Sequence, residues 1–101
     1  MRVYISIPIT GHDPREQKAK ADSLELKYLR QGAEVFNPFD THDGKEHPWE
    51  WYKARDILRM HECQQIYFCK GWEKSQGCRL EKEMATLLGL KMVFENENKE
   101  V

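Results

Sequence analysis

Residues 65–85 read QIYFCKGWEKSQGCRLEKEMA, and the order of their chemistry decides the fold. Gln65 to Cys69 is a short apolar run with the composition of a strand. It leads directly into Lys70, Gly71 and Trp72, after which Ser75 opens a helix. A serine at an N-cap accepts a hydrogen bond from an early backbone N–H, and an apolar period begins just after this one. The spacing predicts a helix from Gln76 to Leu88, stopped by Gly89.

At about 100° per residue, Leu80, Met84, Ala85, Leu87 and Leu88 share one arc of that helix, and Arg79, Lys82, Glu83 and Thr86 share the other. Glu81 breaks the pattern, because it lies near the middle of the apolar arc. A carboxylate on a buried face is costly unless it is hydrogen-bonded or paired, and burial raises its pKa, which is one way active sites are made. Two readings stand: a functional carboxylate, or a structural one in the first turns that reaches water.

Upstream, Arg2 to Ile7 is almost continuously apolar and rich in β-branched residues, as in a strand covered on both faces. It ends at Pro8. Ile9 to Asp13 form a loop, and Pro14 opens a helix to Gln31, closed by Gly32, with Ala21, Leu24 and Tyr28 on its inner face. Ala33 to Phe36 is a second strand, stopped by Asn37 and Pro38. Asp40 to His47 is polar. Its His42, Asp43, Glu46 and His47 lack the spacing of a zinc motif, so a solvated loop and no metal are expected.

Pro48 and Trp49 begin an amphipathic helix running to Glu62 with two apolar faces. Ala54, Ile57, Leu58 and His61 form one; Trp49, Tyr52 and Met60 form the other, which also contains Asp56. A sheet covers only one of them, so the Trp49 face is expected to be an active-site wall, a subunit contact, or both. Lone His61 is expected to be a satisfied, partly buried histidine. Lys91 to Phe94 gives a fourth strand, and the charged tail after it is expected to fray.

Alternating strands and helices predict a single α/β domain: a flavodoxin-like three-layer sandwich with a four-stranded parallel sheet in the order 2-1-3-4. In such sheets ligands bind beyond the C-terminal strand ends, at the switch point between the first and third strands. Those ends are Pro8 to Gly11 and Lys70 to Ser75, so the site expected from topology coincides with the one expected from Glu81.

One hundred and one residues suffice for one core. A formal charge of -1 removes the electrostatic argument for a nucleic-acid polymer as partner, while a small anion held by backbone amides stays compatible. No apolar run approaches the roughly 18 residues that span a bilayer, and no signal peptide is recognisable, so no membrane partner and a cytoplasmic location are expected. Cys63, Cys69 and Cys78 form no Cys-x-x-Cys pair and are expected to be buried thiols.

Several stretches recur in a known order: Tyr4-Ile5-Ser6-Ile7-Pro8 with Gly11, then Gly32, Asn37-Pro38, Trp49, Tyr52 and Asp56. Gly71 to Gly77 and Glu81 to Ala85 close the series. Over residues 2–94 this pattern resembles the nucleoside 2-deoxyribosyltransferase superfamily, which includes the 2'-deoxynucleoside 5'-phosphate N-hydrolases, and within it a small bacterial and phage branch. The resemblance implies one such domain over residues 1–95, with 96–101 as a flexible tail. It implies hydrolysis of an N-glycosidic bond, or deoxyribosyl transfer, on a (deoxy)nucleoside 5'-monophosphate, with no cofactor and a homodimeric or larger assembly.

By the same resemblance Glu81 is the nucleophile that attacks C1' of the sugar, in the manner of a retaining glycosidase. Asp56 is the second acidic group, which assists departure of the base and then activates the acceptor, and Tyr4 orients the nucleophile. Ser6, Pro8, Thr10, Gly11, Trp72, Ser75 and Gly77 are implied in substrate binding. Ser75 stands where transferases have an acidic residue for a free 5'-hydroxyl, and so favours a monophosphate. Trp72 either stacks on a base or plugs the gap between loop and helix. Thr10 stands in place of the hydrolases' arginine, and Gln64 in place of the branch's aspartate. Phosphate binding then falls to Ser75, backbone amides and either Arg15 or a basic residue of a partner subunit. A fold alone does not establish activity, so a non-catalytic nucleotide-binding or sensing module and an interaction protein remain the alternatives.

Overall fold

Alternating apolar side chains on both faces make β1 (Arg2–Ser6) the centre of the sheet: Val3, Tyr4, Ile5 and Ser6 are all fully buried. The computed structural model describes residues 1–40 and 45–95. Around β1 lie α1 (Pro14–Arg30), β2 (Glu34–Phe36), α2 (Trp49–His61), β3 (Gln65–Phe68), a 3-10 turn (Trp72–Lys74), α3 (Gln76–Leu88) and β4 (Lys91–Phe94). All pairings are parallel, in the order β2-β1-β3-β4. The expected α/β architecture and strand order are therefore those observed.

The two faces of the sheet bury different helices. Val3 and Ile5 pack with Ala21, Leu24 and Tyr28 of α1. Tyr4, Ile66 and Phe68 pack on the opposite side with Met60 of α2 and Ala85 of α3. Strand geometry makes residues two apart share a face, so Ser6 follows Tyr4 onto the side of α2 and α3. The register sets Tyr4 beside Phe36 of β2 and Ile66 of β3, and its ring stacks on Phe36 at 5.0 Å.

Helix α3 begins as expected: Ser75 Oγ accepts from the Cys78 N–H at 3.2 Å, and Gly89 ends it. Its buried stripe is Cys78, Glu81 and Ala85, which places Glu81 at the centre and leaves Leu87, expected inside, 79% exposed. Helix α1 starts at an Asp13 cap, with Oδ1 accepting from the Arg15 N–H at 2.9 Å.

Helix α2 corrects an expectation. The sheet covers the face of Met60 and Asp56, which are 0% and 4% exposed. The face left outside is Ala54, Leu58 and His61. His61 is thus exposed, not partly buried, because it sits on the side of α2 turned away from the sheet. His47 departs from the solvated-loop reading in the other direction, for its ring stacks on Trp51 at 3.6 Å and 9°. His42 and Asp43, like the tail 96–101, lie outside the described residues. The three cysteines are free and buried. No helix among the described residues is long and apolar enough to cross a membrane.

Candidate active site

Glu81 is 5% exposed and reaches across from α3 to the middle strand. The Tyr4 hydroxyl donates to Oε2, and the Ser6 hydroxyl donates to Oε1 at 2.7 Å. Each carboxylate oxygen therefore has a neutral donor from the same face of β1, which is what the period of two provides. On the far side, Lys53 Nζ of α2 stands 3.6 Å from Glu81 Oε2 and 3.2 Å from Asp56 Oδ2. Arg55 holds the other oxygen of Asp56, with Nη2 at 2.9 Å and Nε at 3.2 Å from Oδ1. The Arg55 guanidinium in turn lies over the Tyr52 and Phe36 rings.

Burial pushes the Glu81 carboxyl above the usual carboxylate range, and nearby Asp56 pushes the same way; Lys53 and the two hydroxyls oppose them without cancelling the effect. Burial, followed by the charges of Glu81 and Asp56, raises the Tyr4 phenol well above its ordinary value, so Tyr4 acts as a donor. Burial pulls the Lys53 ammonium down, but the two carboxylates outweigh it and leave its pKa raised.

These groups face a cavity of about 310 Å³. Its walls include Ile9 and Thr10 from the loop after β1, Pro38 after β2, Trp49, Tyr52, Lys53, Arg55 and Asp56 of α2, and Ser75, Gly77, Cys78 and Glu81 around the start of α3. Gly71, in the loop between β3 and α3, has φ of 92°, a left-handed conformation open mainly to glycine. Gly77 matters for a different reason. A Cβ there would meet Lys53 Nζ at 3.0 Å, so the missing side chain is the space that the ammonium occupies.

Of the residues expected at the site, Glu81, Asp56, Thr10, Ser75 and Gly77 line this cavity, while Tyr4 and Ser6 lie behind Glu81 and hold it. Pro8 is fully buried against Gly71, and its carbonyl accepts from Gln17, tying the loop to α1. Gly11 and Pro8 are absent from the cavity wall. Trp72 is also elsewhere: its ring packs 5.5 Å from Phe68 and 5.2 Å from Phe94, at the ends of β3 and β4. Arg15, expected as a phosphate ligand, is exposed on the first turn of α1 and does not line the cavity.

Lys53 and Arg55 are what the sequence reading missed. One signal was available, since Lys53 precedes Asp56 by three residues and i,i+3 neighbours meet on a helix surface. Away from this cavity, Asp22, Glu25 and Asp40 bring carboxylate oxygens within 4.8 Å of one another. The Asn37 amide donates to Asp22 and Glu25, and Lys18 pairs with Asp22.

A family model described as "Domain of unknown function (DUF4406)" matches residues 1–94, and the chain belongs to that family. No curated protein matches it. Among solved structures, that of the CMP N-glycosidase BcmB from Clostridium botulinum matches with a TM-score of 0.66 at 24% identity, covering 97% of this chain and 73% of that one. The likeness is one of fold.

Proposed function

We propose that the chain cleaves the N-glycosidic bond of a (deoxy)nucleoside 5'-monophosphate, by hydrolysis or by transfer of the sugar, with Glu81 as nucleophile. The observation that carries this reading is the setting of Glu81: a buried carboxylate with a donor on each oxygen and an ammonium beside it, at the wall of a ligand-sized cavity. Nothing in core packing calls for a charge there. The superposed fold of a protein named as a CMP N-glycosidase supports the same reaction class.

In this scheme a Glu81 oxygen bonds to C1' as the C1'–N bond breaks, and the base leaves with the bonding electrons and takes up a proton from solvent. Asp56, held by Arg55 and Lys53, assists that departure. It then takes a proton from the water or second acceptor that displaces the ester and passes it to solvent, which returns both carboxylates to their starting state. Tyr4 and Ser6 keep the carboxylate aimed. At the cavity edge, Ser75 and Gly77 at the start of α3 receive the phosphate, because a helix N-terminus favours an anion. A homodimeric or larger assembly belongs to the same proposal: Met60 is covered within the chain, but Trp49 and Trp51 are 45% and 38% exposed, and sedimentation reads the state directly.

The test is a chromatographic screen of ribo- and deoxyribonucleoside monophosphates, CMP among them, for released base. Saturable binding without any free base would instead identify a nucleotide-binding module. Trapping with a 2-fluoro-2-deoxyribosyl substrate supplies the positive counterpart, because mass spectrometry then finds the sugar on the peptide that contains Glu81.

A further inference from the structure

The ionic groups set around Glu81 come from one element. Strand β1 offers the hydroxyls of Tyr4 and Ser6. Helix α3 adds the Cys78 thiol, whose pKa burial raises. Helix α2 supplies Lys53, Arg55 and Asp56. Arg55 is held on Asp56 and over the Phe36 and Tyr52 rings, whereas Lys53 spans both carboxylates, 3.6 Å from Glu81 and 3.2 Å from Asp56. The lysine side chain is only 18% exposed, and it fits because residue 77 has no Cβ to meet its ammonium at 3.0 Å.

Building on the glycosidase reading, we propose that Lys53 is a positioning residue whose ammonium holds Glu81 as a buried anion in its attacking orientation, with Gly77 as the space that admits it. A buried carboxylate without a counter-charge takes up a proton instead of remaining ionised. The neighbouring Asp56 repels a second negative charge and works in the same direction. Protonated Glu81 cannot bond to C1', so whatever keeps the anion also keeps the nucleophile. Hydroxyl donors alone are the weaker part of that task, since they are neutral while the ammonium carries full charge.

The test reads Glu81 directly, by carbon-13 NMR titration of the glutamate carboxyls, with Glu81→Gln identifying the signal. In Lys53→Met the Glu81 midpoint moves upward by about one to three pH units, the range that loss of an opposite charge at this distance produces. Lys53→Arg, which keeps the charge, brings it back toward wild type. In Gly77→Ala the lysine stays but has to shift by a few tenths of an ångström, and the midpoint moves the same way by less; Lys53→Gln, also neutral, decides the matter if Lys53→Met does not fold. An unmoved midpoint in a neutral Lys53 variant overturns the proposal, and an unmoved midpoint in Gly77→Ala alone overturns the part assigned to Gly77. The titration needs no turnover, so it separates two failures. A moved midpoint in a protein that releases no base refutes the glycosidase reading and leaves Lys53 as the group that ionises Glu81. An unmoved midpoint in an active enzyme refutes only the role of Lys53.

Discussion

The Ser6 hydroxyl donates to Glu81 Oε1 at 2.7 Å, joining the central strand to a helix 75 residues further along the chain. Removing it strands a buried acceptor, which costs about 1–3 kcal/mol. Ser6→Ala should therefore lower stability by that amount, measured by urea unfolding, and by less in a Glu81→Gln background. The double-mutant cycle isolates the pair, because residues in one hydrogen-bond network are not additive. Additive losses would show that the two side chains act independently.

Glu81→Gln keeps the size and hydrogen-bonding reach of the side chain but removes the anion that the proposed sugar ester needs. Nucleotide binding should persist while base release falls by orders of magnitude. Glu83, exposed on the same helix, is the control, and Glu83→Gln should alter the rate by little. A rate like wild type for Glu81→Gln would end the nucleophile assignment.

Stability and activity should respond to pH with opposite signs at this residue. Burial raises the Glu81 pKa above its ordinary value of 4.5, so across that window the native state binds more protons than the unfolded chain. The stabilising contribution is present below the unfolded value and is lost as pH rises through the folded one. Base release, which needs the anion, should rise through the same window. Urea midpoints followed against pH should show a decline that Glu81→Gln abolishes, and equal slopes for the two proteins would contradict the shift.

Ser75→Asp keeps a good N-cap for α3, since aspartate caps as well as serine, but it adds a charge at the proposed phosphate site. Two unit charges 4 Å apart at an effective dielectric of about 20 repel by roughly 4 kcal/mol. Calorimetry should show a much larger loss for a monophosphate than for its nucleoside. Equal losses would mean that position 75 does not face the 5' group.

Met60 and Leu58 test which side of α2 is covered. Met60→Ala empties a fully buried site and should cost about 2–5 kcal/mol. Leu58, 69% exposed, should lose no more than about 0.5 kcal/mol on the same change. Similar losses at both positions in thermal unfolding would point to a second surface resting on Leu58.

Helix α3 and the strand order were legible because each rests on local signals: the Ser75 cap, the Gly89 stop and the alternation of strand with helix. Glu81 stood out because a charge on an apolar arc is visible without coordinates. The orientation of α2 was not legible. With apolar residues on both faces, periodicity does not rank them; the reading that leaves the Met60 side uncovered is wrong because Met60 packs against Tyr4 and Phe68. Lys53 was hidden for a related reason, since a long flexible side chain can turn its charge to water or inward and sequence does not say which. Leu87 was placed inside because the arc was centred on the leucines, whereas the buried stripe follows Cys78, Glu81 and Ala85.

Tyr4 and Ser6 share a strand face, while Ile9, Thr10 and Pro38 rim the same cavity from the loops that follow β1 and β2. The chemistry is thus anchored in rigid segments, and its entrance is built from tolerant ones. Exchanging rim residues should leave the sheet register and the grip on Glu81 untouched, so ligand choice can change without rebuilding the groups that hold the carboxylate. Directed evolution toward a new base or sugar should begin at those three positions.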